Sequence, residues 1–149
     1  MIIRNATMDD VEVLTHMSRQ FHEYAPHAAM INATDDELAD AVRALMTHGC
    51  VLVADLHGEV VGMLGAIINP IWFAPRVKIA CELAWWVNTE YRGGRAGIML
   101  VKAYEAWAAE QGATVATMSS LQIDLNNAVG KLLHKLGYKE SEHTYARRL

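Results

Sequence analysis

The stretch from Glu82 to Gly112 constrains the fold more than any other part of the chain. It begins with the apolar run Glu82–Val87, passes through the glycine-rich segment Arg92–Gly97 and continues as an apolar-rich segment up to Gly112. That order predicts a strand, a loop and a helix. A loop rich in backbone N–H groups that opens directly into a helix gathers unpaired donors and the positive end of the helix dipole. The sequence therefore predicts an anion site, suited to phosphate, at Arg92–Gly97.

Length and composition favour one soluble domain. The chain has 149 residues, 52% hydrophobic and 20% charged, which suffices for one well-packed core, so we expect a single domain over residues 1–149. The net charge of −4 disfavours a partner held through nucleic-acid phosphates. No apolar run reaches the ~20 residues that a membrane span needs, and Cys50 and Cys81 lack a zinc-type spacing. We therefore expect a cytoplasmic protein with no metal and no membrane contact.

Two helices are predicted near the start of the chain. Apolar residues recur at helical spacing from Val11 to Phe21, which indicates a helix with one buried face. A capping box at Thr34–Glu37 predicts the start of a second helix, and Gly49 is its expected end.

The apolar runs 50–55 and 60–68 predict two strands joined by a hairpin turn. Two prolines, Pro70 and Pro75, then predict a loop over residues 69–75. Trp72 and Phe73 in this loop are expected to line a substrate pocket or a dimer contact.

A further strand is predicted at Thr114–Met118. The helix before it acts as a crossover connection, which places this strand parallel to the one at Lys78–Val87. Asp124 or Asn126 can cap a last helix, and the tail after it, residues 138–149, predicts one or two short strands.

This order of elements resembles the GNAT superfamily of acetyl-coenzyme A-dependent N-acetyltransferases over essentially the whole chain. The family's loop motif is an Arg or Gln, two residues, a Gly, one residue and a final Gly or Ala. Arg92 and Gly97 occupy its outer positions, whereas its central glycine is here Arg95, with Gly94 beside it. The resemblance implies an α/β GNAT fold with three α/β/α layers and a mixed central sheet. That sheet is expected to splay between the strand at Lys78–Val87 and the parallel strand at Thr114–Met118.

The resemblance also implies acetyl-coenzyme A as the acetyl donor. In the family, the loop holds the pyrophosphate, and the strand before it pairs through its backbone with the pantetheine arm. The residues implied for cofactor binding are Trp85, Trp86, Val87, Arg92, Gly93, Gly94, Arg95, Ala96, Gly97 and Asn126. From the residues alone, the two tryptophans also suit core packing, and Asn126 also suits a plain helix cap.

Glu82 is the predicted general base. A carboxylate in the middle of an apolar strand is costly without a purpose, and an amine must lose a proton when it attacks a thioester. A Glu82 that faces solvent or a cation remains an alternative. The family's proton-donating tyrosine position holds Leu133 here. Tyr138, Tyr145 and His134 are the candidate substitutes, with Tyr138 taken as the catalytic candidate, and departure of the thiolate without a specific acid stays open.

The acceptor is expected to be a small-molecule or peptide amine. His22 and Glu23, in a polar connection after the first helix, are predicted to bind it together with Trp72. Two other functions remain open: a non-catalytic acyl-coenzyme A-binding regulatory module, and a nucleic-acid-modifying enzyme on the same fold. A homodimer formed through Trp72 and Phe73 or through the last strand is compatible with the sequence.

Overall fold

A computed structural model describes residues 1–25, 30–121 and 127–149 of the chain. Its strands and helices are β1 (Ile2–Asn5), α1 (Val11–Tyr24), α2 (Asp35–His48), β2 (Cys50–Leu56), β3 (Glu59–Ile71), β4 (Ala74–Val87), α3 (Ala96–Glu110), β5 (Ala113–Thr117) and α4 (Ala128–Lys135). The five strands form one sheet in the order β1-β2-β3-β4-β5. Neighbours are antiparallel except β4 and β5, which run parallel. The predicted mixed sheet is therefore confirmed.

Helices cover both faces of the sheet. On one face, α3 buries Leu100, Val101 and Tyr104 against the strands. On the other face, α1 and α2 bury Leu14 and Val42 in a second cluster. Apolar side chains project from both faces of the central strands, and helices must cover each face to exclude water. The result is the expected three-layer α/β/α arrangement.

Local signals in the sequence act as expected at two places. The Thr34 hydroxyl accepts a hydrogen bond from the Glu37 N–H at 3.2 Å, and the Glu37 carboxylate accepts one from the Thr34 N–H at 2.7 Å, which confirms the capping box. His57 and Gly58 both have positive φ, 57° and 92°, the conformation of a tight hairpin turn between β2 and β3.

The prediction of a loop over residues 69–75 is wrong. β3 and β4 continue through it as a long two-stranded hairpin with Trp72 and Phe73 at the tip. The strand β2 stops pairing with β3 at Ala66, and β5 pairs with β4 only from Lys78 onward. Each strand of the extension therefore has an open edge, where a proline that lacks an N–H is tolerated.

The predicted strands in the tail are also wrong. Residues 139–149 are exposed and have no regular structure. Polar and charged residues fill most of this segment, and its few apolar residues do not recur at every second position, so it offers no apolar face that a strand would bury. Among the described residues, no helix is both long and apolar enough to cross a membrane.

Candidate active site

β4 extends beyond the end of its parallel neighbour β5, and we call the unpaired side of β4 past Cys81 the opening. Their ladder runs from Lys78 opposite Ala113 to Cys81 opposite Thr117 and then ends, whereas β4 continues for six more residues to Val87. β5 itself ends at Thr117, so the last six residues of β4 have no described strand partner on this side, and the predicted splay of the two strands stays a prediction. Beyond Cys81, no described strand pairs with this side of β4, so its backbone groups are left available there.

A β-bulge at Leu83 changes which face of the sheet the following side chains of β4 point to. On β3, Ala66 pairs with Glu82 and Gly65 pairs with Ala84, so Leu83 is an extra residue. Ala80 and Trp85 pack into the same cluster under α3, although they are five residues apart. Strict alternation forbids that, and one extra residue permits it. The bulge therefore turns Trp85 toward α3 and Trp86 toward α1.

The register shows which backbone groups face the open edge. Asn88, just past β4, donates its N–H to the carbonyl oxygen of Val61 in β3 at 3.0 Å. Asn88 and Val61 are therefore a hydrogen-bonded pair of the antiparallel ladder. Such pairs alternate along an antiparallel ladder, which makes Val87 and Trp85 the residues whose N–H and C=O point away from β3. The backbone groups of Trp86 are used within the sheet. Of the three residues predicted to pair with a cofactor arm, Trp85 and Val87 have backbone groups on the open side of β4, and Trp86 does not.

Glu82 lies at the apex of the opening. Its carboxylate accepts a hydrogen bond from the backbone N–H of Ser119, just past β5, at 3.0 Å. Burial raises the pKa of Glu82 from its ordinary value to about 7, and the Ser119 bond opposes that shift. The side chain makes no ion pair with the described residues. Glu82 therefore exchanges a proton near neutral pH, as a general base must.

Two tyrosines, Tyr104 and Tyr138, lie close to Glu82. Tyr104 of α3 is fully buried and donates its hydroxyl to the Thr117 carbonyl oxygen at 3.0 Å, which holds the end of β5 at the point where its ladder with β4 ends. The Tyr138 hydroxyl is buried and closes no hydrogen bond of normal geometry with the described residues. Burial raises its pKa, and the nearby Glu105 and Glu82 carboxylates raise it further. Tyr138 therefore stays protonated at neutral pH.

The glycine-rich loop leads into α3, and its backbone N–H groups from Gly93 to Gly97 have no acceptor among the described residues. Gly93 has a φ of 75°, a conformation that glycine adopts without strain, whereas Arg95 is already in helical geometry, so a side chain is tolerated at that position. Within the described residues, no acceptor binds the backbone N–H groups of the segment 93–98. Those donors share the positive end of the α3 dipole, which makes the segment a fitting cradle for a phosphate group.

Gly97 allows α3 to approach β4 closely. A methyl group at this position would lie 3.0 Å from a ring carbon of Trp85. The Trp85 indole N–H next to this contact is buried and has no acceptor among the described residues. The final glycine of the motif is thus explained by packing against the strand that forms one side of the opening.

The Arg92 side chain contacts the end of β4. Its Nε donates to the Val87 carbonyl oxygen at 2.9 Å, and its guanidinium carbon lies 4.4 Å from the centre of the Trp86 ring. Tyr91, the preceding residue, donates its hydroxyl to the Glu59 carboxylate at 3.3 Å. Both contacts fasten the start of the loop to the sheet.

The predicted acceptor-binding residues separate into two places. His22 and Glu23 lie in the last turn of α1, next to Tyr24, whose ring contacts Trp86 at 5.3 Å between centroids. Trp72 is 87% exposed at the hairpin tip, which is roughly 30 Å from Glu82 along the strand at 3.3 Å per residue. Asn126 lies outside the described residues.

A separate groove of about 570 Å³ runs between α1 and α2. Its lining includes Asp9, Glu12, Asp35 and Asp36 but not Glu82 or the loop. Asp35 there is paired with Arg19 at 2.7 Å, and Asp35, Asp36 and Glu37 occupy the first turn of α2, where the positive end of the helix dipole stabilises negative charge. The acidic residues of α2 thus have a structural explanation.

Three residues of the site escaped the sequence interpretation. Ser119 follows a strand in a segment with no motif, Tyr104 occupies an ordinary core position of a helix, and Tyr24 lies two residues before a proline. Their contacts with Glu82, Thr117 and Trp86 are long-range. No local signal in the sequence reports such pairings.

Comparison with protein-family models finds a match over residues 11–138 to the model described as the acetyltransferase (GNAT) family. The chain belongs to the GNAT acetyltransferase family. No curated protein sequence matches it significantly. As a GNAT protein it has an acetyltransferase fold, and its site can be compared with those of solved relatives.

Three solved structures share this fold. A transcriptional regulator from Bacillus halodurans C-125 has 20% identity and a TM-score of 0.79, with 99% of each chain covered. The ribosomal-protein-alanine N-acetyltransferase from Brucella melitensis biovar Abortus 2308 has 14% identity and a TM-score of 0.77, with 100% of each chain covered. AAC(6')-Iy, in complex with the bisubstrate analogue CoA-S-monomethyl-acetylneamine, has 17% identity and a TM-score of 0.79, with 99% of this chain and 97% of that chain covered. At these identities, the likeness is one of fold.

Proposed function

We propose that this GNAT protein transfers an acetyl group from acetyl-coenzyme A to a primary amine, with Glu82 as the general base. The observation that carries the proposal is the position of Glu82. Its carboxylate, with a pKa of about 7, lies at the apex of the opening, where the β4–β5 ladder ends. The free backbone edge of β4 leads from there to the phosphate cradle.

The residues present fit acetyl-coenzyme A as the donor. The unpaired N–H groups of segment 93–98 match the acceptor oxygens of a pyrophosphate, and the exposed cation of Arg95 adds charge of the right sign. The outward-facing backbone groups of Trp85 and the N–H of Val87 can pair with an extended amide-containing arm, as an added strand does, whereas the Val87 carbonyl oxygen accepts from Arg92. When bound, the donor supplies an activated acetyl thioester.

The chain's own groups then perform the proton chemistry. Glu82 takes a proton from the incoming ammonium, directly or through one water, so that the neutral amine can attack the thioester carbonyl. A carbon–nitrogen bond forms, the carbon–sulfur bond breaks, and the electron pair leaves on sulfur. The Val87 N–H faces the opening and can stabilise the negative charge on the carbonyl oxygen. Tyr138 is the proposed donor of a proton to the thiolate, and the second proton that the nitrogen loses as the amide forms restores the Tyr138 hydroxyl.

The acceptor class is an amine held near the end of α1. His22 and Glu23 lie there, and a carboxylate such as Glu23 attracts an ammonium group. The relatives named above include one that acts on a ribosomal protein and one bound to an aminoglycoside-derived analogue, which supports an amine acceptor. Trp72 is proposed as a more distant contact for a large acceptor or for a second copy of the chain.

A non-catalytic acyl-coenzyme A-binding module is the second candidate. It is motivated by Leu133, which is 7% exposed and packs into the core at the position of the family's tyrosine. Calorimetry with acetyl-coenzyme A and a thiol-release assay with mixed amines separate the two functions. Saturable binding together with amine-dependent thiol release supports the enzyme, and binding without release supports the module. Absence of binding contradicts both.

A further inference from the structure

The side chain of Arg92 packs against the ends of β4 and α1. Its Nε donates to the Val87 carbonyl oxygen at 2.9 Å, and the guanidinium lies over two rings, 4.4 Å from the centre of Trp86 and 5.6 Å from the centre of Tyr24. Tyr24 and Trp86 also meet each other edge to face at 5.3 Å. The four residues form one connected cluster, which we call the Arg92 clamp.

Each contact of the clamp uses the planar shape of guanidinium. A flat delocalised cation can cover an aromatic face while its edge donates a hydrogen bond in the plane. A lysine ammonium carries the charge but cannot do both from one position. Trp86 is fixed from the other side as well, because its indole N–H donates to the Asn88 side-chain oxygen at 3.2 Å. The clamp therefore requires arginine specifically.

The clamp joins three parts of the site. Val87 ends β4 and presents its N–H to the opening, Tyr24 ends α1 beside the proposed amine-binding residues, and the Arg92 backbone begins the cradle. A shift of any one part alters the distance between the amine and the thioester. Misplacement of reacting groups by about 1 Å lowers rates by up to roughly a hundredfold.

We propose that Arg92 is a positioning residue that holds the end of α1 and the end of β4 in register with the cradle, rather than a ligand of the coenzyme A pyrophosphate. This inference rests on the proposed function for its kinetic consequences. The Nε of Arg92 is bound to the Val87 carbonyl oxygen and the face of its guanidinium lies on Trp86 and Tyr24, so the side chain is fixed against the ends of β4 and α1, and we assign the pyrophosphate to the backbone N–H groups of the cradle. The two roles predict opposite responses to a donor that lacks phosphate.

The kinetic test compares acetyl-coenzyme A with S-acetylpantetheine, which carries the same thioester arm without pyrophosphate or nucleotide. For a positioning residue, Arg92→Met lowers kcat by a similar factor with both donors, roughly ten- to a hundredfold. Arg92→Lys restores little of this loss. The loss in ln kcat in the double variant Tyr24→Ala with Arg92→Met is smaller than the sum of the losses in the two single variants, because both changes remove the same contact. Arg43→Met, on exposed α2 and paired only with Asp40, is the control and leaves both donors unaffected. A loss confined to acetyl-coenzyme A overturns the proposal.

A second readout does not depend on activity. The indole N–H resonance of Trp86, assigned with Trp86→Phe, reports the ring environment in a nitrogen-resolved NMR spectrum. We expect it to shift in Arg92→Met and in Tyr24→Ala, while the Kd for coenzyme A in Arg92→Met stays within about threefold of wild type. An unshifted resonance overturns the clamp, even if no amine substrate is found. Absence of wild-type turnover with a shifted resonance contradicts the proposed function and leaves the clamp supported.

Discussion

The Glu82 carboxylate accepts the Ser119 N–H at 3.0 Å, and this bond bridges β4 and the chain after β5 just past the end of their ladder. A carboxylate in such a place is desolvated by its surroundings and steadied by one donor. The result is a group with a pKa of about 7 rather than an ordinary acidic one. Burial at the end of the β4–β5 ladder, rather than the Ser119 bond, therefore makes Glu82 more basic than an ordinary carboxylate.

Glu82→Gln is expected to lower kcat by about a hundred- to a thousandfold, because the amide keeps the Ser119 contact but cannot accept a proton from the amine. Wild-type kcat/KM should fall as pH drops below about 7, where the carboxyl becomes protonated. That inflection should be missing in the variant. Steady-state rates between pH 5.5 and 9 measure both effects, and an unchanged profile in Glu82→Gln assigns the inflection to another group.

Glu82 should also shape the pH dependence of stability. Its folded pKa is raised from 4.5 to about 7, so the folded state holds the proton more tightly and loses stability as pH rises between those values. The difference corresponds to at most about 3 kcal/mol. Glu82→Gln should therefore be more stable than wild type at pH 8, and this gain should vanish below pH 4.5. Urea unfolding across that range tests it, with exposed Glu90→Gln as the control; an equal effect of Glu90→Gln contradicts the assignment.

Gly97 should tolerate a methyl group but not a branched side chain. Alanine brings Cβ to 3.0 Å from Trp85, a tight contact offset by the better helix propensity of alanine, so the free energy of unfolding should change by less than about 1 kcal/mol. Gly97→Val should lower it by about 2 kcal/mol through overpacking and should weaken acetyl-coenzyme A binding. Ala106→Val, on the exposed side of α3, is the matched control. A loss in Gly97→Val no larger than that in Ala106→Val would contradict overpacking against Trp85, because helix propensity favours valine over glycine but alanine over valine.

Arg95 should act on the phosphate end of the donor. Its side chain is exposed and has no partner within the described residues, which leaves its charge available at the start of α3. Arg95→Met is expected to raise the Kd for acetyl-coenzyme A by about threefold to tenfold, and more at low than at high salt. Calorimetry at two ionic strengths measures this effect. A Kd that is unchanged at low salt contradicts a pyrophosphate contact by Arg95.

The sequence predicted the parts of the fold that depend on local signals. The capping box at Thr34, the turn at Gly58 and the strand, loop and helix around Arg92 each follow from residues close together in the chain. The parallel strand after α3 followed from the crossover rule. These features set the element order, and the family match agrees with it.

Features that depend on distant partners were not predictable. Pro70 suggested a loop, because the sequence does not show that neither β2 nor β5 reaches the far end of the hairpin. The bulge at Leu83 arises from pairing with β3 and has no residue signature. Arg92 was interpreted as a pyrophosphate ligand from its motif, whereas its side-chain contacts are with Val87, Trp86 and Tyr24.

The most direct test of the account is a mass-spectrometric acetylation screen. Purified protein is incubated with acetyl-coenzyme A and a panel of polyamines, aminoglycosides, amino acids and short peptides, with Glu82→Gln run in parallel. The account predicts that at least one primary amine gains a single acetyl group on nitrogen, at a rate that Glu82→Gln strongly reduces. No acetylated amine above the enzyme-free background, despite saturable binding of acetyl-coenzyme A, would contradict it.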